Sequence, residues 1–199
     1  MAEEDVFHSL KTRYEEGRVP WDDEMPPPEV IEMAARLPPG RAVDLGCGYG
    51  RSSIYLARRD WNVDGVDFIP LAVAGALARA EQASVGDCVN FHLGKVTHMP
   101  FLAGPYDLAL DVGCMHALDD AGLRQYRNEV YRLLRPGGLY LLFAHLRTDG
   151  IEVPGRGVYE ETVHSLFGDN FTLDKVVRGT TQIEGRPSFP SAWFWFRRN

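Results

Sequence analysis

Val43-Asp44-Leu45-Gly46-Cys47-Gly48-Tyr49-Gly50 runs from apolar residues into three alternating glycines. Arg41–Leu45 reads as a buried strand, the glycines as a tight loop, and residues 51–59 as a helix. Glycine reaches positive φ without steric cost and lets a ligand approach the backbone closely. A G-x-G loop alone is a weak signal, and its neighbours decide its meaning. A dinucleotide fingerprint is G-x-G-x-x-G, which puts the third glycine at position 51, and that residue is Arg51. Asp44 stands two residues before the first glycine, where a carboxylate repels pyrophosphate and attracts an ammonium group. The loop suits a ligand with a positive end and no phosphate.

Outward from this loop, strand and helix alternate. Residues 62–66, Val89–Leu93, Tyr106–Val112 and 139–144 are expected strands, with helices at Pro70–Gln82 and from about 120 to 134. The run 139–144 (LYLLFA) is apolar enough to be buried on both faces. This alternation indicates an α/β chain with a doubly wound parallel sheet. Further on, residues 159–167 read as a helix, and 171–179 and 192–198 as a C-terminal antiparallel hairpin on the sheet edge. The expected sheet is mostly parallel and seven-stranded. Trp193-Phe194-Trp195-Phe196 should alternate between core and cover. The prolines of Met25-Pro26-Pro27-Pro28 stop regular structure and then open a helix at 29–36. Residues 1–28 are thus a leader or lid, and 29–199 one domain.

Composition bounds the partners. The 199 residues carry a net charge of −7, with 45% hydrophobic and 25% charged residues. Nucleic acid binding needs Lys and Arg gathered on one face, whereas Arg135 and the pair Arg197–Arg198 lie in different segments. The first residues lack the apolar core of a secretory signal, and no stretch approaches the roughly 20 apolar residues of a membrane span. Cys47, Cys88 and Cys114 are an odd number at irregular spacing, as expected of reduced thiols in the cytoplasm. Cys114-Met115-His116 has no second Cys/His cluster to complete a metal site. The expected partner is a small molecule, and the expected assembly a monomer or homodimer.

Ligands of open parallel sheets bind beyond the carboxyl ends of the strands, at the switch point. The second candidate segment, Val63-Asp64-Gly65-Val66-Asp67, ends there. Asp67 can accept hydrogen bonds from both hydroxyls of a ribose, which indicates an adenosine ligand without choosing between cofactors.

With these segments in hand, VDLGCGYG, GVDF, PYDLALDVGCMHAL and LLRPGG resemble the successive motifs of class I S-adenosylmethionine (SAM)-dependent methyltransferases, over roughly Ala42 to Phe143. Those enzymes have a Rossmann-like sheet. P-W-D-x-x-x-P at Pro20 to Pro26 and D-x-G-x-x-H-x-L at Asp111 to Leu118 are similar to the thiopurine and tellurite methyltransferase-like branch. The resemblance implies that Asp44, Gly46, Cys47 and Gly48 hold the methionine end of SAM. It implies that Asp67 binds the ribose and that Phe68 and Ile69 flank the adenine. An acidic residue facing the adenine amino group is expected after the third strand, but this chain has Lys95. A lysine cannot accept from an amino group, so the backbone of Val96 is expected to serve while Lys95 points to solvent.

Methyl transfer is an in-line displacement, and positioning alone supplies about 7–11 kcal/mol in favourable cases. An anionic thiolate or oxyanion needs no base, whereas a hydroxyl does. His116 is the leading base candidate, because it follows the fourth strand and histidine titrates near neutrality. Asp111 and Gly113 form the turn that presents it. His145 ranks second, while His98 and His164 are expected on the surface. Trp21 could stack over the site mouth and attract a sulfonium by about 0.5–2 kcal/mol. The acceptor pocket is expected from the leader and Arg147 to Val158. Two other readings stay open: a non-catalytic SAM-binding module, and a nicotinamide-dependent oxidoreductase, which Arg51 and Asp44 disfavour.

Overall fold

The central strands carry consecutive apolar residues, as strands buried on both faces do, and in the computed structural model those strands form one sheet. The structure describes residues 3–148, 150, 157–182 and 187–199. The sheet has seven strands in the order β3-β2-β1-β4-β5-β7-β6. They span Arg41–Leu45 (β1), Asn62–Asp67 (β2), Val89–Leu93 (β3), Tyr106–Val112 (β4), Leu134–His145 (β5), Phe171–Thr181 (β6) and Phe189–Arg198 (β7). Pairing is parallel from β3 to β5 and antiparallel on both sides of β7. β1 is flanked by β2 and β4, so the chain reverses its winding there. That is the switch point.

Helices cover both faces. They are α1 (Glu3–Glu15), α2 (Pro28–Arg36), α3 (Arg51–Ala57), α4 (Pro70–Gln82), α5 (Asp120–Leu133) and α6 (Glu160–Phe167). The two-residue period of a strand divides the core. Val43, Leu45 and Ala109 meet Leu123, Tyr126 and Val130 of α5 and Phe167 of α6 on one face. Ala42, Leu108 and Leu110 meet α2, α3 and Trp61 on the other. The aromatic run of β7 obeys the same rule: Phe194 and Phe196 enter the first core and Trp193 the second. Burying each such ring stabilises by roughly 1.5–3 kcal/mol. Local signals fix the helix starts. Proline opens α2 and α4, and the Asp119 side chain caps α5 by accepting from the Gly122 N–H at 2.8 Å.

Several bounds differ from expectation: α3 ends at Ala57, β6 runs on to Thr181 and β7 begins at Phe189. β5 begins at Leu134 rather than 139: Leu134 pairs with Tyr106, and after a register shift Leu139 pairs with Leu108, with Gly137 at a φ of 73° in between. The leader holds a helix, α1, that packs on α4. No helix among the described residues is long and apolar enough to cross a membrane.

Candidate functional site

Gly46, Gly48 and Gly50 all have positive φ, at 74°, 56° and 78°. A Cβ on Gly46 would lie 2.6 Å from Cys114 Cβ, and one on Gly50 2.6 Å from Phe91. Only glycine lets the loop pass between its neighbours. The Gly46 and Cys47 N–H groups donate to the Val66 carbonyl at 2.8 and 3.0 Å, which ties the loop to the end of β2.

Asp67 completes that link. Its carboxylate accepts from the Gly48 N–H at 3.0 Å and the Ile69 N–H at 2.9 Å. Burial raises its pKa, and the two backbone donors pull the other way. Asp44, 3% exposed, accepts from the Ser53 hydroxyl at 2.6 Å, and burial pushes its carboxyl up to about 6 against that hydrogen bond. Two carboxylates therefore flank the glycine loop at the ends of β1 and β2, at the switch point.

Asp111 ends β4 and organises the next turn. One carboxylate oxygen accepts from the Gly113 and Cys114 N–H groups at 2.9 and 2.7 Å. The other accepts from the Met115 N–H at 2.9 Å and the Tyr126 hydroxyl at 2.7 Å. With four donors on two oxygens, Asp111 acts on the site through the turn it holds. Gly113 gives that turn its positive φ of 97°. His116 follows in a single 3₁₀ turn and is buried. Its Nδ1 accepts from the His145 backbone N–H at 3.3 Å, and its ring stacks on the His145 ring at 4.1 Å. Nδ1 as acceptor places the proton of the neutral ring on Nε2. Burial, with His145 alongside, lowers His116 to about 3, and burial lowers His145 to about 4. Both rings are neutral at physiological pH. A His116 base acting through Nε2 would first have to lose its hydrogen bond to His145. Burial also pushes the Cys47 and Cys114 thiols up, so neither is a ready nucleophile.

The leader lies over this loop. Tyr14, 6% exposed, accepts from the Trp21 indole N–H at 3.4 Å and approaches Gly48. Asp22 pairs with Arg79 of α4 at 2.7 Å, and Asp23 with Arg51 of α3 at 3.1 Å. A cavity of about 40 Å³ remains beneath, lined by Val19, Trp21, Asp22, Asp44, Gly46, Cys47, Gly48, Tyr49, Arg51, Ser52 and Val112. Phe68 packs edge-on against Phe7 of α1, Ile69 is buried at the start of α4, and Val96 is buried next to exposed Lys95. Thus Trp21, Asp44, Gly46, Cys47 and Gly48 gather at one cavity, with Asp67, Phe68 and Ile69 beside the loop on β2 and its exit. Much of the expected acceptor segment, residues 149 and 151–156, lies outside the described residues. Tyr14 and Ser53 escaped the sequence reading, because a lone tyrosine in a charged leader and a helical serine carry no motif.

Such a sheet, with a glycine loop and strand-end acids at its switch point, defines a cofactor-binding α/β domain. Residues 42–138 match a family model described as a methyltransferase domain. An uncharacterized methyltransferase of Synechocystis sp. is 31% identical over 112 residues, covering 56% of this chain and 50% of that protein. TehB from Haemophilus influenzae superposes with a TM-score of 0.77 at 17% identity, covering 95% of this chain and 67% of that one. A Burkholderia thailandensis 1,6-didemethyltoxoflavin-N1-methyltransferase, solved with 1,6-didemethyltoxoflavin and S-adenosylhomocysteine, gives a TM-score of 0.73 at 23% identity. There the match covers 100% of this chain and 91% of that one. The fold is thus similar to that of SAM-dependent methyltransferases, and the match to the methyltransferase-domain model covers just under half of the chain. The chain spans about half the length of the curated relatives it matches.

Proposed function

We propose that this chain moves the methyl group of SAM to a small-molecule nucleophile that arrives with its lone pair free, such as a thiolate or an oxyanion. The carrying observation is the glycine loop flanked by the buried carboxylates of Asp44 and Asp67. Asp67 suits the ribose of any adenosine cofactor, while Asp44 favours a cationic, phosphate-free end and opposes the pyrophosphate of a nicotinamide dinucleotide. SAM, when bound, supplies the electrophilic methyl group. Asp44 and the loop from Gly46 to Gly48 hold the methionine end. Asp67 serves the ribose, Phe68 and Ile69 the adenine, and Val96 with Lys95 borders it. Asp111 and Gly113 fix the turn bearing His116. His116 acts by position, since its Nδ1 is engaged and its ring neutral.

The cavity of about 40 Å³ is far below the roughly 300–1,000 Å³ of ordinary ligand sites. Residues 1–28 therefore act as a lid that opens to admit the cofactor and then excludes water. The free thiols Cys47, Cys88 and Cys114 support a reducing, cytoplasmic setting.

Calorimetry tests the cofactor. SAM and S-adenosylhomocysteine should bind and NAD should not. Asp67→Ala should weaken SAM by about 10- to 100-fold, as expected for the loss of a charge-assisted hydrogen bond. Tight NAD binding without SAM binding overturns the proposal, and SAM binding without turnover against thiol, phenol and oxyanion panels would favour a non-catalytic SAM-binding module.

A further inference from the structure

Val112 lines the glycine-loop cavity and pairs in register with Phe143 of β5. Side chains alternate along a strand, so His145 follows Phe143 on the same face, about 7 Å farther toward the carboxyl end. Its ring stacks on that of His116 at 4.1 Å and stands edge-on to Phe189 and Phe143 at 4.7 and 5.6 Å. The His116 Nδ1 also accepts the His145 backbone N–H. His116 thus holds its neighbour by ring and by backbone. That frame leaves one polar atom over. The Nδ1 of His145 is buried and has no hydrogen-bond partner among the described residues. A buried polar atom left unpaired is costly and rare in folded chains. The tautomer of a neutral imidazole is set by the partners of its two nitrogens. His116 has its proton fixed on Nε2 in this way, whereas no described protein group fixes Nδ1 of His145.

We propose that His145 contacts the methyl acceptor, its Nδ1–H donating a hydrogen bond to an anionic acceptor such as a thiolate or an oxyanion. The inference rests on the SAM reading above and deepens its acceptor side. The place fits, because His145 lies just past the cavity assigned to the methionine end and hence beside the reacting methyl. The charge fits as well. A sulfonium repels an arginine or lysine set beside it, whereas a neutral N–H holds an anion without adding a second cation. Burial keeps both rings neutral, with His116 lowered to about 3 and His145 to about 4. His116 is then a positioning residue that fixes the plane of the His145 ring.

Asparagine carries its amide where histidine carries Nδ1, and glutamine reaches the place of Nε2. The chain saturated with S-adenosylhomocysteine is titrated with two probes, thiophenolate and sulfite, by calorimetry and by NMR of histidine labelled with nitrogen-15. At least one probe should bind, and His145 should then show the Nδ1–H pattern while His116 keeps the Nε2–H pattern. His145→Asn should keep most of that affinity, and His145→Gln and His145→Leu should lose about 10- to 100-fold. S-adenosylhomocysteine should bind the unmodified chain and the variants alike, which also shows that each variant folds. Equal probe affinity throughout, or equal loss in every variant, overturns the proposal. Retention by the glutamine rather than the asparagine variant overturns it too, as does a bound probe that leaves Nδ1 without a proton. A chain that holds S-adenosylhomocysteine and takes neither probe fails this proposal alone. One that binds no S-adenosylhomocysteine fails the cofactor reading, and this proposal with it.

Discussion

Gly46→Ala probes how the glycine loop is locked against the turn after β4. Gly46 has φ of 74°, and a Cβ there lies 2.6 Å from Cys114 Cβ and 2.9 Å from its Sγ. Two costs add. A side chain on left-handed backbone costs about 1–2 kcal/mol. Pushing Cys114 away costs about 1–3 kcal/mol more, the scale of an overpacked core. The sum is about 2–5 kcal/mol, and at about 2–4 °C per kcal/mol for a chain of this size Tm should fall by roughly 4–20 °C. Cys114→Gly removes both contacting atoms and so separates the two costs. In that background the backbone cost of Gly46→Ala persists and the contact cost vanishes. A double-mutant cycle by urea denaturation should therefore return a coupling of about 1–3 kcal/mol. Equal destabilisation in both backgrounds would refute the contact and leave the backbone strain alone.

The raised pKa of Asp44, about 6, makes cofactor binding pH-dependent, because a cationic ligand selects the ionised carboxylate. SAM affinity should be level above about pH 6 and fall up to about tenfold per unit below it; Asp44→Asn should flatten the curve, and a curve unchanged by that variant would exclude Asp44. With His116 lowered to about 3, the turnover of a thiol acceptor should show no inflection near pH 6.5, and His116→Gln should cost less than about 10-fold. An inflection there together with a loss of about 10²–10⁴-fold would restore His116 as a base.

Arg41–Leu45, Pro70–Gln82, Val89–Leu93 and Tyr106–Val112 fold within the bounds read from sequence, because apolar period, glycine and proline act within a few residues. The glycine loop and the acids at 44 and 67 were legible for the same reason. What escaped depends on distant partners. The apolar residues of α1, among them Phe7, Leu10 and Tyr14, are sparse among charges and gain meaning only against Phe68 and Ile69. The commitment of Asp111 depends on Tyr126, fifteen residues away on α5. The state of His116 depends on a backbone N–H that the pairing of β4 with β5 brings to its ring. Arg51 stood out in the sequence as a break in a fingerprint, and only the fold places it on the cavity wall opposite Asp23.

β6 adds few side chains to the core, yet its backbone pairs along most of β7. The stretch it covers, Ser191-Ala192-Trp193-Phe194-Trp195-Phe196, is rich in aromatics and uncharged. Left open, such an edge offers unpaired N–H and C=O groups to any other extended chain, which is how strand-by-strand aggregation begins. With β6 in place, the outermost strand carries Asp174, Lys175 and Arg178 instead, and charge at an edge opposes further pairing. The outer strand of the hairpin thus guards colloidal stability, and damage to it should show as aggregation at high protein concentration before ligand binding at the distant glycine loop is impaired.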